Sequence, residues 1–595
     1  MIGDLKKKGN PFVPSAGFLK CQGFHFDESG SLSKWGGFNH DLNSNTMTQL
    51  MEAGSPAKFT GLFGYTRSDQ TKLTFGATQT NVYQQTAGNW TSILSGQTGG
   101  LNDLYNWQVL NDIIYFCNGV DGNKKIYYDG VNVHVWNMGI TAPVTSPTLA
   151  AGAAGVLTGN YSYMVTFYNS TLGHESNPYL ASNTVNLASQ QGSLTNIPVS
   201  ADPQVNHRRI YRTTTGGATY LYLADINDNT TTTYTDNAPD TGLSTIAVDQ
   251  FGNGVPPVFQ FMFIWKGYLF GVPKNSSTVY VSKNNFPNAY DPNDFRDLDK
   301  NDNDVITGMN ILNDELIAFK NGSIWNGSGT DRSNFGFKKQ IPGTGSTCHR
   351  GILALPNKNS YGYSTLIFPS KSGFSSYNGL SLDYVTPELE KIYRGLNQSR
   401  LSNIDGAIYK AKNMAIWLVS NGSGTQNDTM IIFDYVQNHW MTRDISNVKA
   451  NVIAIISQTA NQEIFYTGGF NGYVYQGDIG LADDGQPISC EWIDRPHPKQ
   501  QVEEAQKSFM EIIVYFDVQA GTTAILSYRL NTFSENAADY TSIGTLDCSD
   551  PRGYQRFTLE AIGVRVFPRI NHSALSQSLT IRGIEITYKT LGRVH

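Results

Sequence analysis

The chain has 595 residues, of which 39% are hydrophobic, 12% aromatic and only 15% charged, with a formal net charge of −6. That length exceeds one ordinary core and implies roughly two to four domains. A mild acidity with no basic block beyond Lys6 to Lys8 excludes a tight, sequence-reading DNA binder, and 58 Gly, 32 Tyr and 30 Phe exclude a helical bundle in favour of an all-β chain.

The opening segment MIGDLKKKGNPF carries no apolar run of signal-peptide type, and no later stretch is long and apolar enough to cross a bilayer. Synthesis in a reducing host cytoplasm, without membrane insertion, is therefore expected. Cys21, Cys117, Cys348, Cys490 and Cys548 are odd in number and far apart, which disfavours both a disulfide framework and a zinc site.

Residues 1–57 read as an N-terminal arm with first strands. A unit then recurs: an apolar strand, a Gly/Asn turn, a second strand ending in aromatics, and another polar turn. It occurs at Lys72 to Trp90 and Ile113 to Trp136 within residues 58–140. It returns within residues 255–484 at Tyr268 to Ser282, Glu315 to Gly329, Thr365 to Gly379, Met414 to Trp440 and Glu463 to Gly477. Large apolar residues on strands, with Gly or Asn where positive φ is needed, are the chemistry of β-hairpins. A period of roughly 40 to 50 residues is that of propeller blades, so a β-propeller of about seven blades is expected, with stacked sandwiches as the alternative.

Residues 141–254 interrupt the period. ITAPVTSP (Ile140 to Pro147), the small-residue linker LAAGAAG and the Gly/Pro-rich FGNGVPP (Phe251 to Pro257) mark the limits. Inside, YSYMVTFYN (Tyr161 to Asn169) alternates, GHESNP (Gly173 to Pro178) is a turn, HRRIYRTTTGGATYLYLADI (His207 to Ile226) is a hairpin and TTTTYTDN (Thr230 to Asn237) a closing strand. The G-x-E-S turn, R-x-x-Y-R strand and T-Y-x-D strand resemble the fibronectin-III-like sandwiches inserted into phage structural proteins. Residues 485–595 form a C-terminal β-sandwich-like region, with long strands at Ser508 to Val518, Thr522 to Asn531, Phe557 to Ile570 and Leu579 to Lys589. One helix is expected, at Thr386 to Leu396, with Thr386 as N-cap and Pro387 at the first helical position.

From Thr386 to Trp440 the chain runs through LEKIYRGL, IYKAKNMAIWLV and IIFDYVQNHW. That order resembles the β-propeller nozzle, or tail hub, family of short-tailed bacteriophages, where a brief E-K-I helix precedes a strand pair ending in aliphatic-x-D and then Trp. Ile306 to Trp325 and the strand after Gly351 fit the same family's blades. The resemblance implies a ring of identical subunits, usually six, in the virion tail. Such a ring lies below the portal and adaptor and above the needle or tip. It extends the DNA channel, retains the packaged genome, touches genomic DNA non-specifically and docks tail fibres or tailspikes. The insertion and the extended C-terminal region are absent from the smallest family members, so functions lodged there do not carry over.

No catalytic, cofactor or metal residue is assigned. Asp291, Asp294, Asp297, Asp299, Asp302 and Asp304 partly imitate a calcium loop, but the sixth-position Gly and closing Glu are missing, and a solvated loop is the expectation. His174, His207, His349 and His497 are isolated, with no HExxH, GxSxG or phosphate loop in the chain. Sialidase-type S-x-D-x-G-x-x-W turns are also absent, so a glycan hydrolase is the weaker alternative, alongside a carbohydrate-binding adhesin or tailspike. Trp90, Trp136, Trp325, Trp417 and Trp440 end the repeats, and their regularity suits packing between blades.

Overall fold

The computed structural model describes residues 18–27, 30–40, 48–356, 363–384, 389–459, 462–498, 505–534 and 536–593. Within them the chain is all-β, arranged as many small sheets with one short α-helix, Glu390–Gly395. The expected cap residues Thr386 and Pro387 lie outside the described residues. Contacts divide the chain into a first unit, Met1–Thr78, Val82–Ser92 and Arg350–His595, and a second, Gln79–Asn81 and Ile93–His349.

The second unit contains three four-stranded sheets whose strands follow one another in chain order. They are Asn106–Leu110 to Val133–Asn137, Phe261–Trp265 to Phe286–Asp297, and Ile306–Leu312 to Gly336–Pro342. Each opens with a two-residue hairpin in which both residues have positive φ: Asn111 and Asp112, Lys266 and Gly267, Asn313 and Asp314. This geometry matches the twist of the flanking strands and suits Asn, Asp and Gly. Aromatic and aliphatic residues of the second and third of these sheets share a core around Phe270, Val281, Leu316 and Phe335.

The insertion lies in the same unit and forms two sheets. Thr148–Tyr161, Val185–Thr195 and Tyr234–Asp236 make one, and His174–Glu175, Tyr163–Asn169, His207–Arg212 and Leu221–Ile226 the other. Leu149, Leu157, Leu187 and Leu194 meet Tyr163, Val165, Ile210 and Ile226 in a common core. LAAGAAG is not a linker but part of strand Thr148–Tyr161, paired with Val185–Thr195 through three register shifts. Its small residues carry little strand signal of their own, and pairing rather than propensity places them.

In the first unit, Gly61–Thr66 to Asn89–Ser95 and Leu353–Pro356 to Leu382–Tyr384 are again consecutive four-stranded sheets. Two further meanders belong to larger sheets. Asp405–Tyr409 to His439–Asp444 continues through Lys20–Gln22 into Cys490–Ile493, Val566–His572, Thr523–Leu530 and Thr541–Asp547. Ala450–Thr459, Gln462–Gly469 and Val474–Gly477 take Phe38–Asn39 as their fourth strand. A five-stranded sheet joins Phe24–Phe26 and Leu32–Lys34 to Thr580–Arg593, Ala505–Phe516 and Tyr554–Gly563. The segment expected as one strand at Phe557 to Ile570 is thus two, split at Val564 and Arg565, and the halves join different sheets.

Residues 20–26 and 32–39 therefore stitch three sheets of the first unit together. Lys20–Gln22 pairs parallel to His439–Asp444 and antiparallel to Cys490–Ile493. Fully buried Arg443 donates to the Gly36 carbonyl at 2.6 Å and pairs with Asp483, whose Oδ1 also accepts the Phe38 N–H at 3.1 Å. Burial raises the Asp483 carboxyl above its ordinary range, against the opposing pull of Arg443.

Candidate functional site

The acidic segment, expected as a loop, instead runs from strand Phe286–Asp297, which holds Asp291, Asp294 and Asp297, into the turn after it, and Asp294, Asp297, Asp299 and Asp302 are paired with cations. Asp294 accepts from Arg296 at 2.7 Å and pairs with Arg332, and Asp297 pairs with Lys300 at 2.7 Å. Lys320, buried and with Trp325 beside it, donates to Asp302 at 2.7 Å and to the Asp299 carbonyl at 3.0 Å. Lys339 reaches Asp299 at 3.3 Å. Asp304 instead accepts the backbone N–H groups of Gly322 and Val305 at 2.8 and 2.9 Å, and Asp291 caps its own turn at Asn293. The charge of Asp294, Asp297, Asp299 and Asp302 is met internally by lysine and arginine. Among the described residues no group of three or more His, Cys, Asp or Glu is placed to hold a metal ion.

The histidines are dispersed. His207 contacts Asn206 at 3.0 Å, and His349 stacks on Phe261 with ring centroids 4.5 Å apart. His497 bonds to buried Asp494 at 2.7 Å, a base-and-orienter pair. No hydroxyl or thiol among the described residues hydrogen-bonds its ring. His174 differs from these, because its Nδ1 lies 2.7 Å from the Nζ of Lys125. The five cysteines are buried, and none is in a disulfide. Burial pushes the thiols of Cys490 and Cys548 up to about 12, which disfavours the thiolate needed for nucleophilic attack.

The motifs of the insertion turn out to be its internal fastenings. Glu175 of the G-x-E-S turn accepts from Thr166 and Tyr211, both at 2.6 Å, and from Arg209 at 3.0 Å. The Arg209 guanidinium lies 3.6 Å from the Tyr168 ring centroid. Ser176 accepts the Phe167 N–H at 2.9 Å. Arg212, the last Arg of R-x-x-Y-R, pairs with Asp236 of T-Y-x-D at 2.5 Å and with Asp240 at 2.9 Å, and Tyr163 donates to Asp236 at 2.7 Å. Arg212 and Asp236 are both fully buried at their side chains. The two motifs meet here because a buried guanidinium demands a buried carboxylate.

The tryptophans divide. Trp417 and Trp440 stack at 5.7 Å and enclose Phe374 of the preceding sheet at 4.6 and 5.3 Å, with the Trp417 indole donating to the Gly351 carbonyl. Trp325 is buried, whereas Trp90 and Trp136 are half-buried. Trp136 forms a ladder with Tyr127 and His134, at 5.7 and 5.3 Å between centroids.

Sequence reasoning missed the Lys125–His174 contact and the Arg443–Asp483 pair. Each joins residues too far apart in sequence to form a motif, and the only signal was two ordinary basic residues within strand patterns.

No protein family matches the chain, and no curated protein matches it by sequence. Solved structures similar to it include the WD40 domain of SCAP from fission yeast (8% identity, TM-score 0.27, covering 78% of this chain and 97% of that one). BBS1N in complex with ARL6DN gives 6% identity and a TM-score of 0.26, covering 74% and 98%. Exo-β-1,3-galactanase from Phanerochaete chrysosporium gives 10% and 0.17, covering 81% and 95%. These TM-scores are too low to carry an argument about fold or activity.

Proposed function

We propose that this chain is a non-enzymatic structural component of a virus particle, a β-propeller subunit of the ring-shaped tail nozzle of a short-tailed bacteriophage. The observation that carries this reading is, among the described residues, a series of seven four-stranded antiparallel meanders, interrupted by the insertion after the second, with the last two lying within larger sheets and the last taking its fourth strand from Phe38–Asn39. A four-stranded sheet cannot bury both faces by itself, and radial packing about an axis is the arrangement that lets every such sheet do so. Completing the last leaf with a strand from the beginning of the chain is the way such a circle closes.

On this reading the protein acts by shape and assembly. A subunit of net charge −6 does not hold phosphates tightly, which suits a wall past which DNA slides. Copies join head to tail, so one face of each subunit complements a different face of the next. The insertion and the C-terminal sheets brace neighbours or spikes. The adaptor, needle or tip, and fibres are the remaining partners, and the virion tail is the location.

The purified full-length chain, imaged by negative-stain microscopy and weighed by native mass spectrometry, is expected to form or be driven into a six-membered annulus. A persistent monomer that turns over capsular or cell-wall polysaccharide overturns the proposal in favour of a glycan hydrolase. A monomer giving only micromolar glycan-array binding overturns it in favour of an adhesin.

A further inference from the structure

Four lysines of the described chain are buried: Lys34, Lys125, Lys320 and Lys507. Three are provided for. Lys320 has the Asp302 carboxylate and a carbonyl, Lys34 has the carbonyls of Ala574 and Gln577, and Lys507 has those of Ala505 and Val564. Lys125, with no exposure at all, has a single hydrogen-bond partner, the Nδ1 of His174 at 2.7 Å. Its strand, Lys124–Tyr128, belongs to the sheet of Asn106 to Asn137, whereas His174 belongs to the insertion. The contact is therefore a fastening between the insertion and the sheet that precedes it.

The surroundings offer the ammonium little compensation. Tyr115 and Trp136 lie opposite Lys125 on the flanking strands, and the Trp136 ring centroid is 6.0 Å from Nζ. Asp202 is the one carboxylate whose field reaches it, and that carboxylate is hydrogen-bonded to Gln204. On the other side the edge of Phe286 faces the His174 ring. Glu175, next in the chain, is taken up by Thr166, Tyr211 and Arg209. For Nδ1 to accept a hydrogen bond from Lys125 the imidazole must be neutral, because both ring nitrogens of the protonated form are donors. Protonating His174 would set two cations 2.7 Å apart in a buried seam.

We infer that Lys125 and His174 form a proton-operated latch, which holds the insertion against the preceding sheet in neutral to alkaline conditions and loosens it on acidification. Burial lowers the Lys125 amine to about 7 from 10.5, with Asp202 opposing the shift. Burial first, and then Lys125, lower His174 to about 2 from 6.5. Both groups bind protons more weakly when docked than when released, so docking strengthens as pH rises. The lysine contributes its slope between about 7 and 10.5, and the histidine between about 2 and 6.5. The latch does not depend on assembly into a ring.

Hydrogen exchange of the full chain, corrected for intrinsic amide chemistry, reads the opening of the insertion through the amides of Tyr163–Asn169 and His207–Arg212. In the parent protein the opening constant is expected to fall by about tenfold per pH unit between roughly pH 7.5 and 9.5, and again between roughly pH 4 and 6. Lys125→Met, which fills the site without a titrating group, is expected to abolish the alkaline slope. His174→Gln, which keeps an acceptor for Lys125, is expected to abolish the acidic slope and preserve the alkaline one. Slopes unchanged in both variants, or a parent opening constant flat across the range, overturn the inference. Should Lys125→Met misfold, the loss or survival of the acidic slope in His174→Gln still decides.

Discussion

The sheet of Asp405 to Asp444 and the insertion solve the problem of strand placement with different materials. In the first, strand Met414–Val419 is buried at all six positions, and Trp417, Trp440, Phe374 and Phe433 meet ring to ring. In the second, the largest fully buried side chains include Arg208 and Arg212. Arg208 reaches Asp228 and the Thr231 carbonyl, while Arg212 is locked to Asp236. An apolar core tolerates many solutions of similar volume, whereas a buried guanidinium accepts one register, because displacement by one residue leaves charge unpaired. A small module with a modest core gains definition from such pairs, and the sheet of Asp405 to Asp444, built chiefly on stacked rings, keeps one of them, Arg443 with Asp483, where it meets Gly36 and Phe38.

Substitutions test that contrast. The largest losses are expected from Trp417→Ala and Asp236→Ala, each about 3 to 5 kcal/mol, the first from a cavity and the second from stranding Arg212. They differ in place. Hydrogen exchange should show Trp417→Ala loosening Met414–Val419 and Thr429–Asp434, and Asp236→Ala loosening the insertion alone. The comparison sharpens with Tyr163→Phe, Arg212→Met and Asp236→Leu combined. If the network supplies register more than energy, the triple variant regains most of the stability lost in Asp236→Ala while its insertion amide spectrum broadens. A sharp, parent-like spectrum would show that the apolar core suffices.

A smaller effect is expected from Glu175→Gln, which keeps the shape but weakens the acceptor for Arg209, Thr166 and Tyr211. About 1 to 2 kcal/mol of insertion stability should be lost, measured by denaturant dependence of exchange at Tyr163–Asn169. Smallest is Glu511→Ala on strand Ala505–Phe516, which removes the solvent-facing partner of Arg556 on the neighbouring edge strand Tyr554–Gly563. It should shift the denaturation midpoint by less than any of the preceding variants, and by less still in high salt, as chemical denaturation would register.

Much of the local structure was legible. Asn111-Asp112, Lys266-Gly267 and Asn313-Asp314 announce tight hairpins because few residues accept positive φ. The hairpin of His207–Arg212 with Leu221–Ile226 and the closing strand Tyr234–Asp236 stand where the sequence placed them. The lysine partners of the acidic segment, Lys320 and Lys339, lie on strands that only folding brings near, so its ion pairs were not legible in the sequence. The strand character of LAAGAAG escaped notice because alanine and glycine show no alternation to read.

What the amino-acid order determined by itself was the all-β character, the hairpin series and the motif residues of the insertion, since each depends on neighbours within a few positions, where turn stereochemistry and side-chain alternation act. Only the tertiary structure decided that Phe38–Asn39 would complete the sheet ending in Val474–Gly477, that Lys20–Gln22 would bridge His439–Asp444 and Cys490–Ile493, and that Lys125 would face His174. An exposed strand edge is a general acceptor for any strand of compatible length. Which one it receives is settled by the burial and charge pairing that follow collapse, not by any signal in the strand itself.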